Sequence, residues 1–188
     1  MTELERVQLF EAAGLDRIVS REFKTYLMEN GFFHAPASTK YHGAYEGGLF
    51  DHSLMVMNTL VDLSAKNGLK WRRVESPFIV GMFHDLCKID QYRHPIKETL
   101  LYVGSEETTI YDEQAWEYNP NKGHGDKSVI LLSQHMTLTE EESMCILYHM
   151  GAFTDKEHWR SFTDAVHKFP NVLWTHQADM IASHVVGV

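Results

Sequence analysis

Six side chains spread over most of the chain are of types that hold divalent cations: His52, His84, Asp85, His124, His149 and Asp179. Neutral imidazoles and carboxylates suit borderline divalent ions, and one bridging carboxylate can hold two of them a few ångströms apart. In this set Asp85 is the candidate bridge, with His52, His84 and Asp179 completing one ion and His124 and His149 the other. An open coordination position then carries a water of lowered pKa, a nucleophile at neutral pH that requires no serine or cysteine. A His-Asp dipeptide proves little alone. With twelve His and ten Asp in 188 residues, about 0.6 such pairs are expected from composition. Its setting gives it weight, because "GMFHDLCKID" is an apolar run in which an unpaired buried Asp is costly.

The elements that must position these side chains read as helices. Ser20 caps "REFKTYLMEN", which Gly31 closes, and residues 51–66 form a long apolar-rich segment ending at Asn67-Gly68. Ser76-Pro77 supplies an N-cap and first position for "FIVGMFHDL", and Thr139 with Glu142 spells a capping box ahead of "EEESMCILYHM". Residues 155–168 and 171–186 read as two further helices separated by Pro170. Each candidate ligand falls at a helix end or on an apolar-flanked helical face, and packed helices can aim such groups at one interior point. One stretch breaks the pattern. Between 99 and 118 the β-prone runs "LLYV" and "TIYDEQAWEY" flank a Gly-Ser-Glu-Glu turn, so a small hairpin is expected there. The predicted architecture is a mostly α bundle with one hairpin insertion, folded as a single domain over 1–188.

Composition narrows the context. A net charge of −9 and 44% apolar residues describe a globular acidic chain, which argues against sequence-independent binding of long nucleic acid. A small anionic substrate is still compatible, since a bound metal inverts the local sign. Cys87 and Cys145 form no framework spacing and read as buried reduced thiols. The acidic "MTELERVQLF" is not a signal peptide, and no stretch approaches the roughly 20 apolar residues of a membrane span, so a cytoplasmic protein is expected.

The order His52, His84-Asp85, Asp179 resembles the HD-domain superfamily of metal-dependent phosphohydrolases. "AYEGGLFDHSLMV" looks like the segment carrying the first histidine of that superfamily, above all in the HD domains of YhaM-type 3′–5′ exoribonucleases. "FHDLCKI" matches the HD-x-x-K-I form, while "GHGDKSVILL" and "ILYHMG" resemble the added histidines of two-metal members. The similarity spans roughly residues 40–185. It implies an HD-domain helical bundle, hydrolysis of a phosphate ester by a metal-activated water, and two divalent ions per chain (Mn, Fe, Co, Ni or Zn, with Mg also admissible). Residues 1–40 are too short for the separate nucleic-acid module of YhaM-type enzymes, and no GYP signature is present. A nucleotide or other small phosphate ester is therefore the expected substrate.

Around the ligands the expected roles are more local. Asp85 and Lys88 are the candidate catalytic residues, and Lys88, His42 and Lys127 the candidate substrate contacts. Lys88 stands four residues beyond His84, one helical turn away, and in related proteins a lysine here faces the site; a solvated helix-end lysine is the alternative. Tyr41 and His42 lie on a glycine-containing loop as pocket-wall candidates, whereas Lys127 and Ser128 read equally as phosphate contacts or as part of a helix cap. Asp51 and Asp126 read as caps, and the hairpin aromatics, Trp116 among them, as packing or as a cover for the site. Seven histidines, His176 and His184 included, carry no assignment. Two further functions share this ligand order: a di-iron HD-fold oxygenase, and a non-catalytic nucleotide-binding module with a structural metal. Homo-oligomerisation is left open.

Overall fold

The computed structural model describes residues 1–94, 96–101, 107–113, 115–118, 125–153 and 155–188. Within them the chain is a bundle of helices with a small β excursion. Helix α1 (Glu3–Ala12) is followed by α2 (Arg21–Glu29), and a long turn-rich connection leads to α3 (Gly48–Asn67) and then α4 (Ser76–Phe83). After the strands come α5 (Gly125–Ser133), α6 (Glu140–Leu147), α7 (Trp159–Lys168) and α8 (Asn171–Met180), the last continuing into π-helical turns over Ile181–Val186.

Local chemistry sets most boundaries. Ser20 Oγ accepts from Phe23 N at the start of α2, and Thr139 and Glu142 satisfy each other's backbone at the start of α6, as the sequence predicts. A second capping box, Thr2 with Glu5, opens α1. Gly68, at φ 62°, closes α3 in the left-handed conformation that residues with a Cβ avoid. Ser76 departs from expectation. Glu75 is the capping residue, Ser76 is already helical, and its hydroxyl donates instead to Glu142 at 2.7 Å.

Six fully buried phenylalanines, Phe10, Phe23, Phe32, Phe33, Phe50 and Phe83, join α1, α2, α3 and α4 in one core. Phe23 and Phe83 stand 5.2 Å apart and Phe33 and Phe50 5.3 Å apart. Helix α3 runs through the centre and packs on both α4 and α8. Its contact with α4 is closest at Gly81, where a Cβ would lie 2.8 Å from Met57 N, so the glycine is what lets the two backbones meet. On the far side, Glu142 at the start of α6 is fully buried between Arg73, with both bonds at 2.7 Å, and Ser76. That network fixes α6 against the entry of α4.

The β excursion is antiparallel. Strand β2 (Ile96–Leu101) pairs with β3 (Glu107–Tyr111), and β1 (Tyr92–Arg93) pairs with β4 (Glu117–Tyr118) at its base. The hairpin therefore begins three residues earlier than the β-prone run implies, and the run "TIYDEQAWEY" divides between two pairings. Residues 104–106 of the predicted turn lie outside the described residues, and its last residue, Glu107, already belongs to β3 and pairs with Leu101. No helix among those described is long and apolar enough to cross a membrane.

Candidate metal centre

His84 follows directly on the end of α4 and His149 comes two residues after the end of α6, where the final helical carbonyls have no partner within the helix. Each histidine uses one: His84 Nδ1 donates to Gly81 O at 2.9 Å, and His149 Nδ1 donates to Ile146 O at 2.7 Å. His52, in the second turn of α3, donates from Nδ1 to the main-chain oxygen of Val188 at 2.9 Å. With the Nδ1 proton committed in all three rings, each neutral imidazole presents the Nε2 lone pair to the interior. This is the tautomer of a metal ligand whose second nitrogen is held by a carbonyl.

The three lone pairs converge on two carboxylates. His52 Nε2 lies 3.3 Å from Asp179 Oδ1 and 3.7 Å from Asp85 Oδ2, while His84 Nε2 lies 3.4 Å from Asp85 Oδ2 and His149 Nε2 3.3 Å from Asp85 Oδ1. His52 and His84 face each other Nε2 to Nε2 at 3.2 Å. Two lone pairs at that separation repel unless a cation stands between them. Asp85 Oδ1 and His149 Nε2, both fully buried, have no hydrogen-bond partner, a costly arrangement that a shared cation removes. On these observations the residues present fit a divalent metal ion. Two groups, His52/His84/Asp85 and His84/His149/Asp179, each bring ligand atoms within 4.8 Å of one another. Both draw on His84, which has one free nitrogen. The two groups therefore share one ligand atom, and no imidazole nitrogen could serve two ions at once.

The surroundings set the charge states. Burial opposes ionisation of Asp85, yet the Lys88 ammonium and the imidazoles of His84 and His149 hold its carboxyl well below the usual range. Burial also opposes ionisation of Asp179, and the neighbouring His52, His84 and His149 imidazoles outweigh it and drive its pKa down. Burial pushes the His84 imidazole down despite Asp85, so it stays neutral and able to ligate. At His149 burial works in the same direction, but the Asp85 carboxylate outweighs it and the shift is upward. Lys88 Nζ lies 2.7 Å from Asp85 Oδ2, with side chains only 9% and 3% exposed. Burial alone would lower its pKa; the carboxylate raises it, so the ammonium persists.

A cavity of about 860 Å³ opens onto this cluster, a volume suited to a small ligand. Its lining includes the charged Asp85, Lys88 and Asp179, the polar Ser38, Tyr41 and His42, and Met150, Phe153, Met180 and His184. The His42 ring lies tilted against His52, with centroids 4.8 Å apart, and burial lowers its pKa to about 4, which keeps it neutral.

The sequence-predicted residues His52, His84, Asp85, His149 and Asp179 thus meet in one place, with Lys88 and His42 at their edge. His124 lies outside the described residues; Gly125, next to it, packs so closely on the end of α6 that a Cβ would stand 2.6 Å from Leu147 O. Lys127 is placed otherwise: its ammonium pairs with Asp90, and it does not line the cavity. His176, which the motif reading passed over, does line the cavity. Its spacing three residues before Asp179, one turn of the same helical face, is the signal that could have found it. Both cysteines are free and buried, and burial pushes the Cys87 thiol up to about 12, which removes it as a nucleophile.

A mostly helical bundle enclosing these overlapping His/Asp groups is consistent with an HD-type metal site and, in general terms, with metal-dependent hydrolysis. No family model, curated protein or solved structure matches the chain.

Proposed function

We propose that this protein is a metal-dependent phosphohydrolase of the HD-domain type, acting on a nucleotide or another small phosphate ester. One observation carries the reading: three imidazoles, each with Nδ1 tied to a main-chain oxygen, turn their Nε2 atoms onto two buried carboxylates at the foot of an open cavity. The motif order shared with the YhaM-type HD domains supports the same assignment.

His52, His84, Asp85 and Asp179 would hold one ion, and Asp85 and His149, with His124, a second. A divalent cation bound there supplies Lewis acidity toward a phosphoryl oxygen and lowers the pKa of a coordinated water into the neutral range. The chain's own groups do the rest. Asp85, kept ionised by Lys88, orients the site and receives positive charge. The Lys88 ammonium, fixed at 2.7 Å from Asp85, stabilises negative charge on the phosphoryl group as it develops. His42 and Tyr41 border the opening on which the organic part of the substrate rests. Mn, Fe, Co, Ni and Zn all suit this donor set.

Hydrolysis of a panel of nucleoside mono-, di- and triphosphates, cyclic dinucleotides and simple sugar phosphates, with the products separated by chromatography after incubation with Mn²⁺ and with chelator, tests the proposal. Hydrolysis of at least one member that chelator and Asp85→Asn both abolish is expected. Turnover indifferent to both would overturn the metal-dependent assignment, and oxygen consumption by an iron-loaded protein that hydrolyses no member would replace it with the oxygenase.

A further inference from the structure

His149 stands outside regular helix. Tyr148 caps α6, and Gly151 turns the chain away at φ 53°, so the peptide bearing this imidazole has no helical ladder to hold it. What holds it is a second histidine. His176, in the middle of α8 and 8% exposed, donates from Nδ1 to His149 O at 2.8 Å. The His176 ring also lies against the face of Gly151, where a Cβ would stand 2.6 Å from Cγ, Cδ2 and Nδ1. Phe162 meets the same ring edge to face, with centroids 6.3 Å apart. The ring is pinned on three sides, and its one strong polar bond goes to the residue that carries a candidate ligand.

The position along α8 gives this contact its consequence. His176 and Asp179 are one turn apart on one face. The same rigid helix therefore delivers Asp179 to the cluster directly and fixes His149 through His176. The separation between that carboxylate and that imidazole is set by α8 and not by the loop after α6.

We infer that His176 is a positioning residue: by holding the His149 carbonyl against α8 it sets where the His149 imidazole meets the metal centre, a role that rests on the metal reading above. Metal ligands whose supporting partners are removed lose about 10–100-fold in affinity. The atom responsible is Nδ1, so asparagine, whose side-chain amide reaches the place of Nδ1, should substitute, whereas glutamine, which mimics Nε2, should not.

Zinc affinity by chelator competition, on wild type, His176→Asn, His176→Gln, His176→Ala, His149→Ala and the His149→Ala/His176→Ala double variant, tests this. The expected result is a loss of about tenfold or more in His176→Ala and His176→Gln, recovery to within about threefold in His176→Asn, and no further loss when His176→Ala is added to His149→Ala. Equal losses with and without His149 would make His176 a general packing residue and overturn the inference, as would wild-type affinity in His176→Ala. A second readout does not depend on metal. In long-range proton–nitrogen spectra of the chelated protein, the His149 Nδ1–H tautomer should persist in wild type and His176→Asn and exchange in His176→Ala; an unchanged His149 signal in His176→Ala overturns the inference even if the wild type binds no zinc, an outcome that on its own would sink only the metal reading.

Discussion

The pair of Lys88 and Asp85 gives a perturbation whose effect should depend on whether metal is present. Both side chains are almost fully buried and their charged atoms are 2.7 Å apart, so solvent screening is small. Lys88→Met keeps the length of the side chain and removes the ammonium. In chelated protein this leaves the Asp85 carboxylate buried without its main compensating charge, a loss of about 3–5 kcal/mol. For a domain of this size the melting temperature would fall by roughly 6–20 °C, at 2–4 °C per kcal/mol. If Asp85 is a metal ligand, saturating Zn²⁺ supplies the missing positive charge. The difference between wild type and variant should then shrink to about 1.5 kcal/mol or less, the size of a volume-conserving swap. Urea unfolding with and without metal, analysed by linear extrapolation, reads both differences. The same loss in both conditions would mean that Lys88 alone compensates Asp85, and would take that carboxylate out of the metal set.

Three other outcomes follow from the geometry. Gly81→Ala inserts a methyl group where α3 and α4 touch, 2.8 Å from Met57 N, and should cost about 1–3 kcal/mol in urea unfolding while weakening zinc binding, because His52 and His84 are carried on the separated helices; wild-type stability would contradict the close contact. Stability should decline as pH falls from 7 through 6.5 toward 4: the folded pKa values of His84 and His42 lie below the ordinary 6.5, with His42 at about 4, so the unfolded chain takes up protons first, while the upward shift of His149 offsets part of the loss and the depressed Asp85 and Asp179 add theirs below about 3.8; a urea midpoint that rises over that range would contradict these shifts. His149→Ala and His124→Ala should each lower bound metal from about two per chain to about one by elemental analysis, and unchanged content in both would make the site mononuclear.

Much of this site was legible because its signals are local. Ser20, Gly68 and the Thr139–Glu142 box announce helix ends in short patterns, and the ligands follow from residue type and from position at those ends. The Thr2–Glu5 box is equally local, but it precedes a helix whose apolar and polar residues are too weakly segregated to stand out by periodicity. What escaped the sequence depends on partners far along the chain. Ser76 has the type of an N-cap, yet its hydroxyl turns to Glu142, 66 residues away, because a buried carboxylate needs every donor within reach. Lys127 has the type of a phosphate contact or of a helix-cap residue, and its pairing with Asp90, 37 residues earlier, shows only in the packed chain. His176 sits on a helix with Asp179, but only the packing of α8 on the end of α6 shows that it holds His149.

The central claim is that His52, His84, Asp85, His149 and Asp179 hold metal. Diffraction at the zinc absorption edge from crystals grown with Zn²⁺ tests it most directly. The account predicts anomalous density among these side chains, about 2.0–2.2 Å from Nε2 of the histidines and from the carboxylate oxygens. Full occupancy of zinc elsewhere on the protein, with none between His52 and His84, would contradict it.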